Sequence, residues 1–131
     1  MDGLITTPSR FDPKQTMDRI ESAVRAQGLQ VFARIDHAAG AAADGLELRP
    51  TELLIFGNAR GGTPLMQSAQ TAGIDLPLKA LAWQDAAGAC WISYNDPHWI
   101  AARHGIANLE PVVAKLSAVL GAIVSTVTNP P

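Results

Sequence analysis

The sequence predicts an α+β fold, a two-layer sandwich in which helices cover one face of a sheet rich in antiparallel strands. Two strand-like segments, residues 78–85 and 89–95, are separated only by "AAG". Strands joined so tightly run antiparallel, which excludes a wholly parallel sheet. Two Asp-Pro helix starts and two apolar stripes at helical spacing predict the helices. Because the 131 residues are 47% hydrophobic and 17% charged, we expect one domain, residues 1–131, around one core.

The first predicted elements are a strand within residues 4–10, which contain β-branched side chains, and a helix after it. Asp12 can cap this helix, Pro13 suits its first turn, and Gln15 completes a capping box. Gly28 is typical of a residue that ends a helix. The apolar stripe of the helix consists of Met17, Ile20 and Val24.

The segment "QVFARID", residues 30–36, alternates as a strand does. A regular strand would place Val31, Ala33 and Ile35 on one face and Phe32, Arg34 and Asp36 on the other. The alanine-rich residues 37–45 predict a short helix, and the apolar residues 51–56 predict a buried strand.

The last predicted elements are two helices. Asp96 and Pro97 repeat the start signal, and the helix that they begin should end near His104 and Gly105. From Asn108 onward an apolar stripe at helical spacing predicts a final helix. Its members are Leu109, Val112, Val113, Leu116, Val119, Leu120 and Ile123.

Charge and composition exclude several classes of function. Ten basic and 12 acidic residues give a net charge of -2, and no basic run is present, so we expect no nucleic-acid partner. The lone Cys90 cannot form an intrachain disulfide. The first residues lack the pattern of a secretory signal, and the longest apolar run, "AVLGAIV", is too short to span a membrane. We therefore expect a soluble, cytoplasmic protein with no membrane partner.

The stretch "LLIFGNARGGTPLM", residues 53–66, is the most distinctive segment. It predicts a strand that runs through Gly57, Gly61 and Gly62 into a helix capped by Thr63. Glycines and free amides at a helix start favour an anion, with Asn58 and Arg60 as polar arms. The alternative is a plain strand-to-helix turn that requires a positive φ.

Nucleotide hydrolysis is not predicted by this loop. Gly57 and Gly62 have the spacing of a Walker A motif, but Thr63 stands where that motif has lysine. Pro64 stands where it has the Ser or Thr that holds magnesium.

The three histidines, His37, His98 and His104, are candidate ligands or bases. His98 and His104 are six residues apart, which on a helix leaves them about 120° apart and unable to share a metal ion. For each histidine alone a structural or surface role is favoured. Cys90, beside Trp91, is interpreted as a buried apolar thiol, and no sequence neighbour activates it.

Trp83 and Trp91 flank the predicted hairpin and are expected to pair across it. Core packing, a ligand wall and a dimer surface all remain open for this aromatic group.

The segments "IDH", "LRPTELLIFGNARGGTPLM", "DLPLKALAW" and "YNDPHWIAARH" occur in this order. With them the chain resembles the domain of unknown function 302 family from about Phe11 to the final helix. Ala59 stands where that family is expected to have proline. The resemblance implies a β-α-β(4)-α fold like that of TATA-box-binding protein and a homodimer, but no agreed activity. The family motif corresponds to Asp36, His37, Gly57, Asn58, Gly61, Thr63, Asp75, Leu76, Pro77, Lys79, Tyr94 and His104.

The favoured hypothesis is a homodimeric, cytoplasmic module that binds a small ligand, such as an anion, beside loop 57–63. The candidate site residues are His37, Gly57, Asn58, Arg60, Gly61, Gly62, Thr63, Lys79 and His104. His37 and His104 would line the pocket, and Arg60 or Lys79 would supply the charge.

Three alternatives remain open. One is haem or metal binding through His37 and His104 with a redox or stress role. Another is an enzyme with His37 as general base, which only the residue type supports, so catalysis is not favoured. The last is a purely structural dimerisation module.

Overall fold

The computed structural model describes residues 1–128, which form one five-stranded sheet and five α-helices. A 3₁₀ helix, Gln70–Ile74, follows the third α-helix. The strands are β1 Leu4–Pro8, β2 Gln30–Asp36, β3 Thr51–Gly57, β4 Leu78–Gln84 and β5 Cys90–Asn95. The helices are α1 Pro13–Ala26, α2 His37–Ala43, α3 Ala59–Ser68, α4 Pro97–Arg103 and α5 Glu110–Thr128.

The sheet has the strand order β1-β5-β4-β3-β2, and every neighbouring pair is antiparallel. The predicted hairpin is confirmed, since Trp83 pairs with Trp91 across β4 and β5. Their rings stack with centroids 6.3 Å apart.

The core lies between one face of the sheet and helices α1 and α5. Leu54, Phe56 and Ile92 are fully buried on that face. The helices contribute the fully or almost fully buried Met17, Ile20, Val24, Leu120 and Ile123. The predicted α+β sandwich with helices over one sheet face is therefore confirmed.

Helix caps explain where two of the helices begin. The Asp12 carboxylate accepts the amide hydrogen of Gln15 at 2.7 Å, and the Asp96 carboxylate accepts that of His98 at 2.9 Å. In each helix a proline follows the cap and takes the first helical position. Both predicted starts are confirmed.

Helix α3 begins earlier than predicted. Asn58, and not Thr63, is its cap, because the Asn58 side-chain oxygen accepts the Gly61 amide hydrogen at 2.8 Å. Thr63 and Pro64 consequently lie within the helix. Both Asn58 and Thr63 are good caps by residue type, and the end of β3 at Gly57 places Asn58 at the turn.

Strand β2 contains an irregularity that the alternating pattern conceals. Its register against β3 shifts between Val31 and Ala33. Val31 therefore pairs with Phe56 and packs against the core, whereas Ala33 pairs with Ile55 on the opposite face. The prediction that Val31, Ala33 and Ile35 share one face was wrong, because a bulge inserts one residue into the alternation.

Helix α5 is long and apolar enough, by length and composition, to cross a membrane. The longest uninterrupted apolar run, "AVLGAIV", did not indicate this, because it covers only part of the helix. In the fold its buried residues Leu116, Leu120 and Ile123 belong to the core, and the helix packs mainly on α1 and α4.

Candidate functional site

A cavity of about 940 Å³ lies beside the glycine loop. It is formed by the start of α3, the β2 bulge, the turn into β4 and the first half of α5. Its volume falls within the range of small-molecule sites. Its lining comprises Gln27, Leu29, Gln30, Phe32, Gly57, Asn58, Ala59, Arg60, Gly61, Gly62, Thr63, Met66, Leu76, Pro77, Leu78, Pro111, Val112, Lys115, Leu116 and Val119.

The loop itself is a strand-to-helix turn. Gly57 has a φ of 151°, which favours glycine, whereas Gly61 and Gly62 have no positive φ. The Gly61 amide donates to the Asn58 side chain, and the Gly62 amide donates to the Asn58 carbonyl at 3.3 Å. Two amides that the sequence assigned to an anion are therefore already satisfied inside the protein. Asn58 acts as a cap and not as a free polar arm.

Gly61 permits a close approach of α3 to α5. A Cβ atom at this position would lie 3.2 Å from Leu116 Cδ2 and 3.3 Å from the Asn58 side-chain oxygen. Both distances are shorter than ordinary contacts, so a larger residue would require the Leu116 or Asn58 side chain to shift by a few tenths of an ångström. Arg60 and Lys115, which directly precede Gly61 and Leu116, both line the cavity.

Arg60 and Lys115 differ from the other cations of the protein. The chain has ten lysines and arginines. Eight of them make a side-chain hydrogen bond, an ion pair or a contact with an aromatic ring. Within residues 1–128, Arg60 and Lys115 make none of these contacts. No Asp or Glu lines the cavity, so both positive charges lack a counter-charge there.

The rest of the cavity wall is mainly apolar. Leu29, Phe32 and Met66 lie on one side, and Val112 and Val119 on α5 lie on the other. Phe32 is 49% exposed even though it is a large apolar residue, and it occupies the β2 bulge. The bulge explains how a residue of a core-forming strand comes to line this space.

His104 does not line the cavity but belongs to a separate polar cluster. Its Nε2 lies 2.6 Å from Asp75 Oδ2, and its Nδ1 lies 2.8 Å from the Thr71 hydroxyl. Arg103 Nη1 donates to both Asp75 oxygens, at 2.9 and 3.0 Å. The His104 side chain is only 7% exposed. This cluster ties the 3₁₀ helix to the end of α4, and its charges are neutralised internally.

Lys79 is also engaged elsewhere. Its ammonium group donates to the carbonyls of Pro77 at 3.1 Å and Asp75 at 3.4 Å. Burial lowers the pKa of Lys79, and the nearby Asp75 carboxylate opposes this effect. Lys79 lies outside the cavity lining.

His37 lies at the opposite end of the sheet. It follows Asp36, which pairs with Glu52 near the start of β3, whereas His104 contacts Asp75, close to the end of β3. The length of β3 separates these ends by roughly 20 Å. One chain therefore cannot use His37 and His104 together to hold a haem or a metal. Among residues 1–128, no three His, Cys, Asp or Glu side chains form a group that could hold a metal ion.

Sequence reasoning missed Lys115, Phe32, Val112 and Val119. A usable signal was present in α5, whose apolar stripe is wider than one core face requires. Val113, Leu116 and Leu120 are buried in the core. Val112, Lys115 and Val119, spaced i, i+3 and i+7, form a second stripe that lines the cavity. No comparable signal marked Phe32, because a bulge is not visible in an alternating pattern.

Fold and site together define an antiparallel α+β domain with a ligand-sized cavity beside a strand-to-helix glycine loop. The domain of unknown function DUF302 matches residues 5–123, and the chain belongs to this family. A crystal structure of an uncharacterized conserved DUF302 protein from Bacillus stearothermophilus superposes with a TM-score of 0.85, over 97% of this chain and 99% of that one. At 18% sequence identity this match shows a shared fold.

Two curated relatives from Brucella carry the name fluoride-specific ion channel FluC 1. The Brucella suis biovar 1 (strain 1330) protein is 47% identical over 113 residues, which are 86% of this chain and 44% of that protein. The Brucella abortus biovar 1 (strain 9-941) protein is also 47% identical over 113 residues, 42% of its length. The chain thus spans less than half the length of the curated relatives that it matches.

Proposed function

We propose that this protein is a homodimeric, cytoplasmic module that binds a small anionic ligand in the cavity beside loop 57–63. The observation that carries the proposal is the pair of unpartnered cations, Arg60 and Lys115, in one cavity without a carboxylate. A concave surface lined by charge of one sign concentrates ligands of the opposite sign. An anion would supply the partner that both side chains lack within residues 1–128.

Each cation suits this role in a different way. The planar guanidinium of Arg60 can donate two parallel hydrogen bonds to a carboxylate or phosphate. Lys115 adds a mobile point charge from the facing helix. Because both side chains are exposed, each alone contributes little, and the affinity depends on both acting on one ligand.

Thermal-shift measurements with a panel of carboxylates, phosphate esters and their neutral amide analogues test this function. A ligand at about 100 times its dissociation constant adds about 2.7 kcal/mol of stability. The anions, and not the neutral analogues, are expected to raise the melting temperature. The double substitution Arg60→Gln with Lys115→Gln is expected to abolish the shift.

The matched control is Lys14→Gln with Arg49→Gln, which removes two positive charges from exposed positions outside the cavity lining. This control is expected to keep the full shift. An equal loss in both double variants would mean that net charge, and not the cavity, controls the response, and the proposed site would be wrong.

The uncovered face of the sheet supports the homodimer. Leu53, Leu81, Trp83 and Trp91 lie on this face, half-buried and outside the core. The charged residue Lys79 on the same face points its ammonium group back to the carbonyls of residues 75 and 77. An apolar face with so little charge is complementary to a second copy of itself about a two-fold axis.

Light scattering coupled to size-exclusion chromatography tests the homodimer. Leu81→Glu is expected to give a monomer with an unchanged circular dichroism spectrum. Ile74→Glu, at a 73% exposed position on the 3₁₀ helix, is the control and is expected to leave a dimer. A wild-type protein with the mass of a monomer would contradict the proposal.

A further inference from the structure

We propose that the ligand of this cavity is an amphipathic carboxylate, with an apolar body held between α3, α5 and the β2 bulge. This inference rests on the anion site proposed above and adds the chemistry of the rest of the ligand. The structure supports it through three features: the position of the cations, the apolar wall and the size of the space.

The cations come from two facing helices. Gly61 on α3 lies close to Leu116 on α5, since a Cβ atom at Gly61 would be 3.2 Å from Leu116 Cδ2. Arg60 and Lys115 directly precede these two residues, and both line the cavity. A single carboxylate bound between α3 and α5 would meet both charges. Because no acidic residue lines the cavity, no carboxylate of the lining would repel a ligand with one or two negative charges.

The apolar wall accounts for most of the remaining lining. Phe32, Met66 and Leu76 face the space from β2, α3 and the turn into β4, and Val112 and Val119 face it from α5. Phe32, at 49% exposure, and the half-buried valines leave apolar surface in contact with water. A ligand with an apolar body removes this surface from water, and such removal favours binding in proportion to the area buried.

The size and the polar groups disfavour two other anions. A free phosphate or acetate would occupy a small part of a cavity of about 940 Å³ and leave the apolar wall wet. A nucleotide requires several convergent polar groups for its base and sugar. Of the four uncharged polar side chains of the lining, Gln27, Gln30, Asn58 and Thr63, Asn58 is already used to cap α3.

Isothermal titration with butanoate, octanoate, decanoate and dodecanoate, with the matched primary alcohols, tests the inference. Naphthyl and phenyl carboxylates form a second arm that separates an aromatic body from an alkyl chain. Affinity is expected to increase about fourfold for each added methylene until the cavity is full. The alcohols are expected to bind at least several-fold more weakly than the acids of equal length.

Two variants locate the ligand. Val119→Trp places a large side chain in the cavity and is expected to abolish the dependence on chain length. Ala118→Trp, at an exposed position of α5 outside the lining, is its matched control and is expected to bind as the wild type does. The double variant Arg60→Gln with Lys115→Gln changes only exposed residues and is expected to fold. It therefore provides a test even if Val119→Trp does not fold.

The possible outcomes separate this inference from the function on which it rests. If butanoate binds as tightly as decanoate and the double Gln variant loses both, the anion site stands and the apolar body is wrong. If acids and alcohols bind equally and the double Gln variant is unaffected, the anion site itself is wrong. Absence of binding by every acid and alcohol at all lengths would overturn both.

Discussion

Two polar groups at the same end of the sheet use their charges in opposite ways. In the cluster of Asp75, Arg103 and His104, each charged group has a partner within 3.0 Å. In the cavity beside it, Arg60 and Lys115 have no partner within residues 1–128. Leu76, which lines the cavity, directly follows Asp75, so the cluster adjoins the cavity wall.

The difference separates structural polar residues from candidates for binding. His104 attracts a functional interpretation because histidine is common in active sites, yet both of its ring nitrogens are satisfied by the protein itself. Arg60 and Lys115 are residue types that usually serve solubility. They become candidates because a cavity collects them and supplies no counter-charge.

Asp75→Ala should cause the largest loss of stability. It leaves the almost fully buried His104 ring and the Arg103 guanidinium without their acceptor. An unpaired buried donor such as the His104 ring N–H costs about 2 kcal/mol, whereas the half-exposed Arg103 guanidinium adds little. Urea unfolding should therefore show a lower free energy of unfolding. A change within experimental error would mean that the Asp75 cluster does not stabilise the fold, and its contrast with the cations of the cavity would be wrong.

Asn58→Ala should have the next largest effect. Loss of an Asn cap costs about 1 kcal/mol, and here it frees the Gly61 amide at the edge of the cavity. Thr63→Ala is the control, because the sequence predicted Thr63 as the cap and the structure places it inside α3. Urea unfolding of both variants decides between the two caps. A larger loss in Thr63→Ala would show that α3 begins where the sequence pattern first placed it.

Arg60→Gln and Lys115→Gln should change the free energy of unfolding by less than about 0.5 kcal/mol. Neither side chain makes a polar contact to lose within residues 1–128, and both are exposed. Chemical denaturation of each variant, beside Asp75→Ala, measures this contrast. A loss similar to that of Asp75→Ala would reveal a structural role for the cations and remove the main support for the anion site.

The smallest effect is expected at a third polar group, His98 with Glu110. His98 Nε2 lies 2.9 Å from a Glu110 oxygen, and this carboxylate, aided by Asp96, raises the pKa of His98 above 6.5. Because the pKa of His98 is higher in the folded than in the unfolded protein, protonation of His98 stabilises the fold. This stabilisation is complete below the unfolded-state pKa and is lost as the pH rises through the folded-state pKa. The pair is exposed, so salt should weaken the effect.

Melting temperatures of the wild type and of Glu110→Gln, measured as a function of pH, test whether the His98–Glu110 pair stabilises the fold in this way. The difference between the two proteins should be larger at about pH 5.5 than at about pH 8.5. A difference that does not depend on pH would assign the role of Glu110 to the first turn of α5 instead, where a carboxylate interacts favourably with the helix dipole.

The sequence by itself determined the elements whose signals are local. The caps at Asp12 and Asp96 act on amides two or three residues away, and the β4–β5 hairpin follows from a short connection. The sequence also predicted the glycine loop as part of the candidate site, and residues 57–63 line the cavity. Interactions over a few residues leave a pattern that a sequence displays directly.

Only the tertiary structure decided which residues meet. The register of β2 and β3 places His37 far from His104, and the bulge at Val31 and Ala33 brings Phe32 to the cavity. Lys115 and Arg60 meet at one cavity where α3 lies close to Leu116 of α5. These outcomes depend on strand register and helix packing between segments distant in the chain. Residue type and spacing do not encode them in any single stretch.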